Sequence, residues 1–209
     1  MKKGYIDITL VLDRSGSMQD IREATQDGVN EFINKQKLID GNNTFTLIKF
    51  DDQYERTLNN IPLKDVQKVK LEPRGMTALL DAIGITINDK GKYFRKLPEN
   101  ERPEKVIFVI VTDGQENSSK EFRREKIFDM IKKQTEKYSW EFVFLGANQD
   151  AIATAVSYGI NATSAMTYSS TSHNTTSMFV SLASAVSGYS QGISKSVLFT
   201  KKDRTNAVK

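Results

Sequence analysis

The chain has 209 residues, 38% of them apolar and 27% charged, which is enough for one substantial hydrophobic core. It has no cysteine and a single histidine, His173, so disulfides, thiolate zinc sites, cysteine nucleophiles and multi-histidine metal clusters are all excluded. The net charge of +4 is too small to indicate nucleic-acid binding, and no apolar run approaches the ~20 residues that span a bilayer.

The first apolar run, residues 6–12, is broken by Asp7, and no small-residue cleavage site follows it. It therefore reads as a strand and not a secretion signal, and with the absence of cysteine this places the expected location in the cytoplasm. The second half of the run is apolar on both faces, as in a central buried strand. Asp20 then stands as the expected N-cap of a helix through Lys37, with Ile21, Ala24, Val29, Phe32 and Ile33 at helical spacing. Residues 44–50 form a second strand, and 55–61 a short edge strand. A helix is expected over 78–94, with Leu79, Ile83, Ile87 and Phe94 near one face.

Residues 105–112 contain Val-Ile-Phe-Val-Ile-Val, the strongest buried-strand signal in the chain. A charged helix over 120–137, a strand over 140–145, a short helix over 151–158 and a short strand over 162–168 complete the alternation. Strands alternating with helices predict an α/β fold of Rossmann-like, doubly wound type: a mainly parallel sheet, one short antiparallel edge strand, and helices on both faces. The last quarter changes character. Residues 151–200 contain no Asp or Glu and one Lys, and 10 of the 15 residues from 163 to 177 are Ser or Thr. Met178, Leu182, Ala185, Val186 and Tyr189 recur at helical spacing, so a packed helix over 175–191 is expected, then a frayed tail over 201–209 after a single domain over 1–200.

In open α/β sheets ligands bind at the carboxyl ends of the strands. Three polar clusters fall there: Asp13-Arg14-Ser15-Gly16-Ser17-Met18, Gly75-Met76-Thr77 and Thr112-Asp113-Gly114. Asp13, Asp113, Ser15, Ser17 and Thr77 offer two carboxylates and three hydroxyls, all oxygen donors. A hard divalent cation suits such a set: two carboxylates nearly neutralise it, and hydroxyls fill positions without adding repulsion.

Asp-x-Ser-Gly-Ser after one hydrophobic strand, Gly-x-Thr in a distant loop and Thr-Asp-Gly after a second hydrophobic strand resemble the metal-ion-dependent adhesion site of von Willebrand factor A domains. The resemblance runs from Tyr5 to about Gly159. It is strongest to compact, standalone bacterial or phage forms, including those of tellurium-resistance clusters. It implies Ser15, Ser17 and Thr77 as direct metal ligands, with Asp13 and Asp113 binding directly or through water. It also implies Mg²⁺ as the ion, with Mn²⁺ or Ca²⁺ as alternatives, and a protein partner whose Asp or Glu carboxylate completes the coordination. Nucleic acid and membrane are not expected partners.

Specificity would then fall to Arg14, Met18, Arg74, Met76 and residues 115–119. A metal-assisted phosphatase or hydrolase is the competing reading, with Asp13 as nucleophile. Against it, no second Asp stands two positions after Asp13 and no Gly-x-x-x-x-Gly-Lys phosphate loop is present. A phage structural or assembly component is a third reading, compatible with metal-dependent binding. Asp51-Asp52 reads as a solvated loop; Asp81 as a first-turn helix acid, with a hydrogen bond into the site loop as the alternative; and residues 146–150 as a strand-to-helix turn, with a place at the rim of the site as the alternative.

Overall fold

The computed structural model describes residues 1–209. Six strands form one sheet in the order β3-β2-β1-β4-β5-β6. They are β1 (Lys2–Asp13), β2 (Thr44–Phe50), β3 (Tyr54–Pro62), β4 (Pro103–Thr112), β5 (Glu141–Ala147) and β6 (Ala165–Tyr168). Every pairing is parallel except β2 with β3, which is antiparallel and puts β3 at one edge. The predicted fold class is therefore the observed one.

The two central strands are covered on both sides. Ile8, Leu10 and Leu12 of β1 and Ile107, Val109 and Val111 of β4 point into one half of the core, beneath α1 (Arg22–Lys37) and α5 (Ser172–Ser190). Val11, Phe108 and Ile110 point into the other half, beneath α2 (Leu79–Lys96), α3 (Arg124–Tyr138) and α4 (Ala151–Ser157). This is why the six-residue apolar run shows no alternation: both faces of the strand are dry.

A charged pair is buried at the far end of the sheet from the strands' carboxyl ends. Asp7 of β1 is fully buried, and Lys90 of α2 reaches it at 2.7 Å, with Thr46 at 3.2 Å and Asn60 Oδ1 at 2.6 Å. Burial lowers the pKa of the Lys90 ammonium, and the Asp7 carboxylate opposes that shift. Asn60 lies at φ 51° within the irregular β2–β3 pairing, where its side chain turns toward the lysine.

Four local expectations need correction. Asp20 does not cap α1: Gly16–Ile21 is a 3₁₀ turn, and α1 starts after it without a side-chain cap. The helix expected from residue 120 starts at Arg124, because Asp81 takes the backbone N–H groups of Lys120, Glu121 and Phe122 at 2.7–2.9 Å. α5 begins at Ser172, with Thr171 as its N-cap, so part of the Ser/Thr-rich stretch is helix. The tail is ordered: Thr200 and Asp203 form a reciprocal capping box for α6 (Lys201–Asn206), and Ala207, fully buried, accepts from Ser169 N–H at 2.9 Å.

Candidate metal centre

Asp13 is the last residue of β1, and Thr112 ends the neighbouring β4. Two parallel strands thus finish side by side, and the loops leaving them converge above the sheet. The Asp13 carboxylate is fully buried there. Its Oδ1 accepts from Ser15 N–H at 2.6 Å and its Oδ2 from the Thr112 hydroxyl at 2.6 Å. The first bond folds the Asp-x-Ser turn back on itself; the second ties that turn to β4.

The Ser15 and Ser17 hydroxyls lie 3.1 Å apart, and Ser17 Oγ donates to Asp113 Oδ1 at 2.7 Å. Gly114 stands beside them without a side chain. A methyl group there would sit 3.4 Å from Thr77 Oγ1 and 3.6 Å from Ser17 Oγ. All five residues singled out in the sequence are therefore brought together, from three loops separated by up to 100 positions. They leave a space lined by oxygen at Gly114. The set is all oxygen and doubly acidic, which suits a hard divalent cation.

Electrostatics agree with that chemistry. Burial pushes the Asp13 carboxyl up from 3.8 to about 6, against the hydrogen bonds from Thr112 and Ser15. The Asp113 carboxyl is also pushed up by burial, with the nearby Asp20 charge adding to the shift and the Ser17 hydroxyl opposing it. Without a counterion, the site holds two carboxylates in surroundings that disfavour their charge.

The loops are fastened to one another. Gly16 N–H donates to Gly75 O at 3.2 Å, and Arg74 N–H to Arg14 O at 2.7 Å. Asp51, expected in a solvated loop, is fully buried instead. It accepts from Arg14 Nε at 3.0 Å and from Arg74 Nε at 2.7 Å, linking the first loop to the second. The two guanidinium groups compensate its burial and hold its carboxyl below the ordinary value. Asp52 remains exposed.

Asp81 does more than favour a helix dipole, since its carboxylate organises the turn before α3. Gln149 donates from Nε2 to Gly114 O at 3.1 Å, so the β5–α4 loop touches the centre, in line with the alternative reading of residues 146–150 and not with a plain turn. Of the residues expected at the rim, Arg14 and Met18 are buried and unavailable. Arg74, Met76 and Gln115 remain exposed, Met76 with 53% of its surface open beside Thr77. Neither Asn117 nor Glu116 stands out in the sequence as a fixed point, because nothing in a local pattern marks a loop residue that bonds 36–40 positions away.

No family model and no curated protein sequence matches the chain. Solved structures do resemble it. Proximal thread matrix protein 1 from the mussel byssus superposes with a TM-score of 0.60 at 16% identity, over 86% of this chain and 45% of that one. A von Willebrand factor type A structure from Catenulispora acidiphila gives 0.58 at 13% identity, over 88% and 42%. The fold is that of von Willebrand factor A domains. A third A-type structure, the ArnB paralog VWA2 from Sulfolobus acidocaldarius, gives 0.52 at 16% identity, over 87% and 45%. The mussel protein has also been solved with a zinc-occupied adhesion-site motif, at a TM-score of 0.55 and 16% identity over 91% and 45%. This chain spans less than half the length of each of these proteins.

Proposed function

We propose that this A-type domain is a metal-ion-dependent protein-binding module. Asp13, Ser15, Ser17, Thr77 and Asp113 hold one divalent cation, Mg²⁺ in preference to Mn²⁺ or Ca²⁺, at the carboxyl end of the sheet. The observation that carries the proposal is the convergence of hydroxyl and carboxylate oxygens around the missing side chain of Gly114. The ion supplies a Lewis-acidic centre for a partner's Asp or Glu carboxylate. The chain's own residues bring the charge that holds the ion and exclude bulk water from its underside. The zinc-occupied motif in the structurally similar mussel protein supports a cation at this position of the fold.

Binding is favoured over hydrolysis by the state of Asp13. It is fully buried and both its oxygens already accept hydrogen bonds, which suits a fixed charge better than an attacking nucleophile. His173, the one histidine, is exposed at the start of α5 and takes no part in the centre.

The test pairs calorimetry with capture. Wild type should bind one equivalent of Mn²⁺ or Mg²⁺ and retain a protein partner only while metal is present. Asp13→Ala should lose both properties and keep its fold. Metal-dependent turnover of a phosphoester by wild type, lost in Asp13→Ala, would establish the hydrolase in place of the binding module.

A further inference from the structure

Thr77 occupies an unusual place among the five oxygen-bearing residues. Asp13, Ser15, Ser17 and Asp113 are joined through two strand ends and direct hydrogen bonds. Thr77 comes from a third loop, with no strand beneath it, just before α2. The position of its hydroxyl depends on whatever fixes that loop.

Toward the first loop, the Thr77 loop is held by the Gly75 and Arg74 contacts and by Ala78 N–H, which donates to Asp51 O at 2.8 Å; toward the Asp113 loop the fastening comes from residues 116–122. Thr77 N–H donates to Asn117 Oδ1 at 2.9 Å, and Asn117 N–H donates back to Thr77 O at 3.1 Å. Together these bonds hold both polar groups of the Thr77 backbone against Asn117. The flanking residues reinforce the contact in both directions. The Glu116 carboxylate accepts from Leu80 N–H at 2.9 Å, in the first turn of α2, and from the N–H groups of Ser118 and Ser119. Ser119 Oγ accepts from Asp81 N–H at 3.1 Å, while the Asp81 carboxylate takes the three N–H groups that follow Ser119. The Phe122 ring then lies on Gly84, where any side chain on α2 would collide with it. The loop that carries Asp113 and the loop that carries Thr77 are thus tied together by hydrogen bonds running in both directions.

We infer that Asn117 is the positioning residue of the centre: by pairing with the Thr77 backbone it holds the Thr77 hydroxyl at a fixed reach from Asp113 and Ser17. The inference rests on the metal-binding proposal and deepens it. A preorganised site binds its ion without first ordering a loop, and the hydrogen-bond partners behind metal ligands typically contribute 10–100-fold in affinity.

The experiment uses Mn²⁺ alone as the probe, with affinity read by calorimetry and Thr77 amide exchange read by NMR in the metal-free protein. Wild type should show a slowly exchanging Thr77 amide. Asn117→Ala should lose that protection and bind Mn²⁺ roughly tenfold more weakly. Asn117→Asp, which keeps an acceptor oxygen, should recover most of the affinity. Thr77→Ala should also weaken binding, and the double variant should be no worse than Thr77→Ala alone, since Asn117 acts through Thr77. Losses that add in full, or unchanged Mn²⁺ affinity in Asn117→Ala with only a lower Tm, would overturn the assignment. A wild type that binds Mn²⁺ with an unprotected Thr77 amide would also overturn it and leave the metal proposal standing. A wild type with a protected amide and no Mn²⁺ binding would overturn the metal proposal and, with it, the role given to Asn117.

Discussion

At the scale of single residues, buried carboxylates do two opposite jobs around the centre. Asp13 is destabilised as an anion, with its carboxyl raised to about 6. The folded state without metal therefore holds a proton that the unfolded chain gives up near 3.8. This contribution to stability is fully present below about pH 4 and is lost as pH rises through 6. Metal needs the ionised form, so Mn²⁺ affinity should fall as pH drops below 6, while the metal-free protein is at the same time relieved of charge. Calorimetric titrations at pH 5 and pH 7.5, with Asp13→Asn as control, measure both effects. A metal affinity independent of pH over this range would contradict the prediction. Asp51 behaves in the reverse sense. Its folded carboxyl lies below the ordinary 3.8, so its stabilisation is present above that value and disappears as pH falls beneath it. Asp51→Asn would leave buried Arg14 with only the half-exposed Glu55 as a counter-charge, and Arg74 with half its side chain in water. The expected cost is about 2–3 kcal/mol in urea denaturation, at or below the usual figure for a broken buried pair because Arg74 is half solvated. Gly114→Ala should keep the stability of wild type and lose Mn²⁺ affinity, because its methyl group would stand in ordinary contact with the Thr77 and Ser17 hydroxyls.

The elements differ in how plainly the sequence announces them. β4 is unmistakable because a strand covered on both faces needs an unbroken apolar run. α5 is weaker as a local signal, since Ser and Thr are indifferent helix formers. It is stabilised by burial: Met178, Leu182 and Val186 are fully enclosed, and Phe179 lies against Gly28 of α1. Leu182→Ala should therefore cost about 2–5 kcal/mol, the range for an enclosed leucine. Thr200→Ala, which removes one half of the α6 capping box, should cost about 1 kcal/mol. Both are measurable by chemical denaturation, and similar losses for the two variants would contradict the packing described. The starts of α1 and α3 could not be read locally. Asp20 looks like a cap but follows a 3₁₀ turn, and residues 120–122 look helical but surrender their N–H groups to Asp81 of another helix.

For the whole molecule, the arrangement separates a rigid sheet from a functional end. No helix is long and apolar enough to cross a membrane. Asp13, Ser15, Ser17 and Asp113 lie at the ends of two neighbouring parallel strands, as the topology requires, and the loop before α2 brings Thr77 to them. Metal binding to the native state alone should raise stability by about 2.7 kcal/mol at a hundredfold excess over Kd, a rise in Tm of roughly 5–10 °C for a chain of this size. Scanning calorimetry with and without Mn²⁺ measures it, and an unchanged Tm with the fold intact would remove the basis for the proposed function.

The sequence by itself determined the fold class, the order of most elements and the identity of Asp13, Ser15, Ser17, Thr77 and Asp113 as one candidate set. Those features are written in hydrophobic period and in short motifs at strand ends, which are local and so survive without coordinates. Tertiary structure alone decided that Asp51 is buried between two arginines, that Arg14 and Met18 are withdrawn from the rim, that the tail is a capped helix, and that Asn117 holds Thr77. Each of these depends on which distant groups meet, and a polar side chain in a loop looks the same in sequence whether it faces water or a partner a hundred residues away.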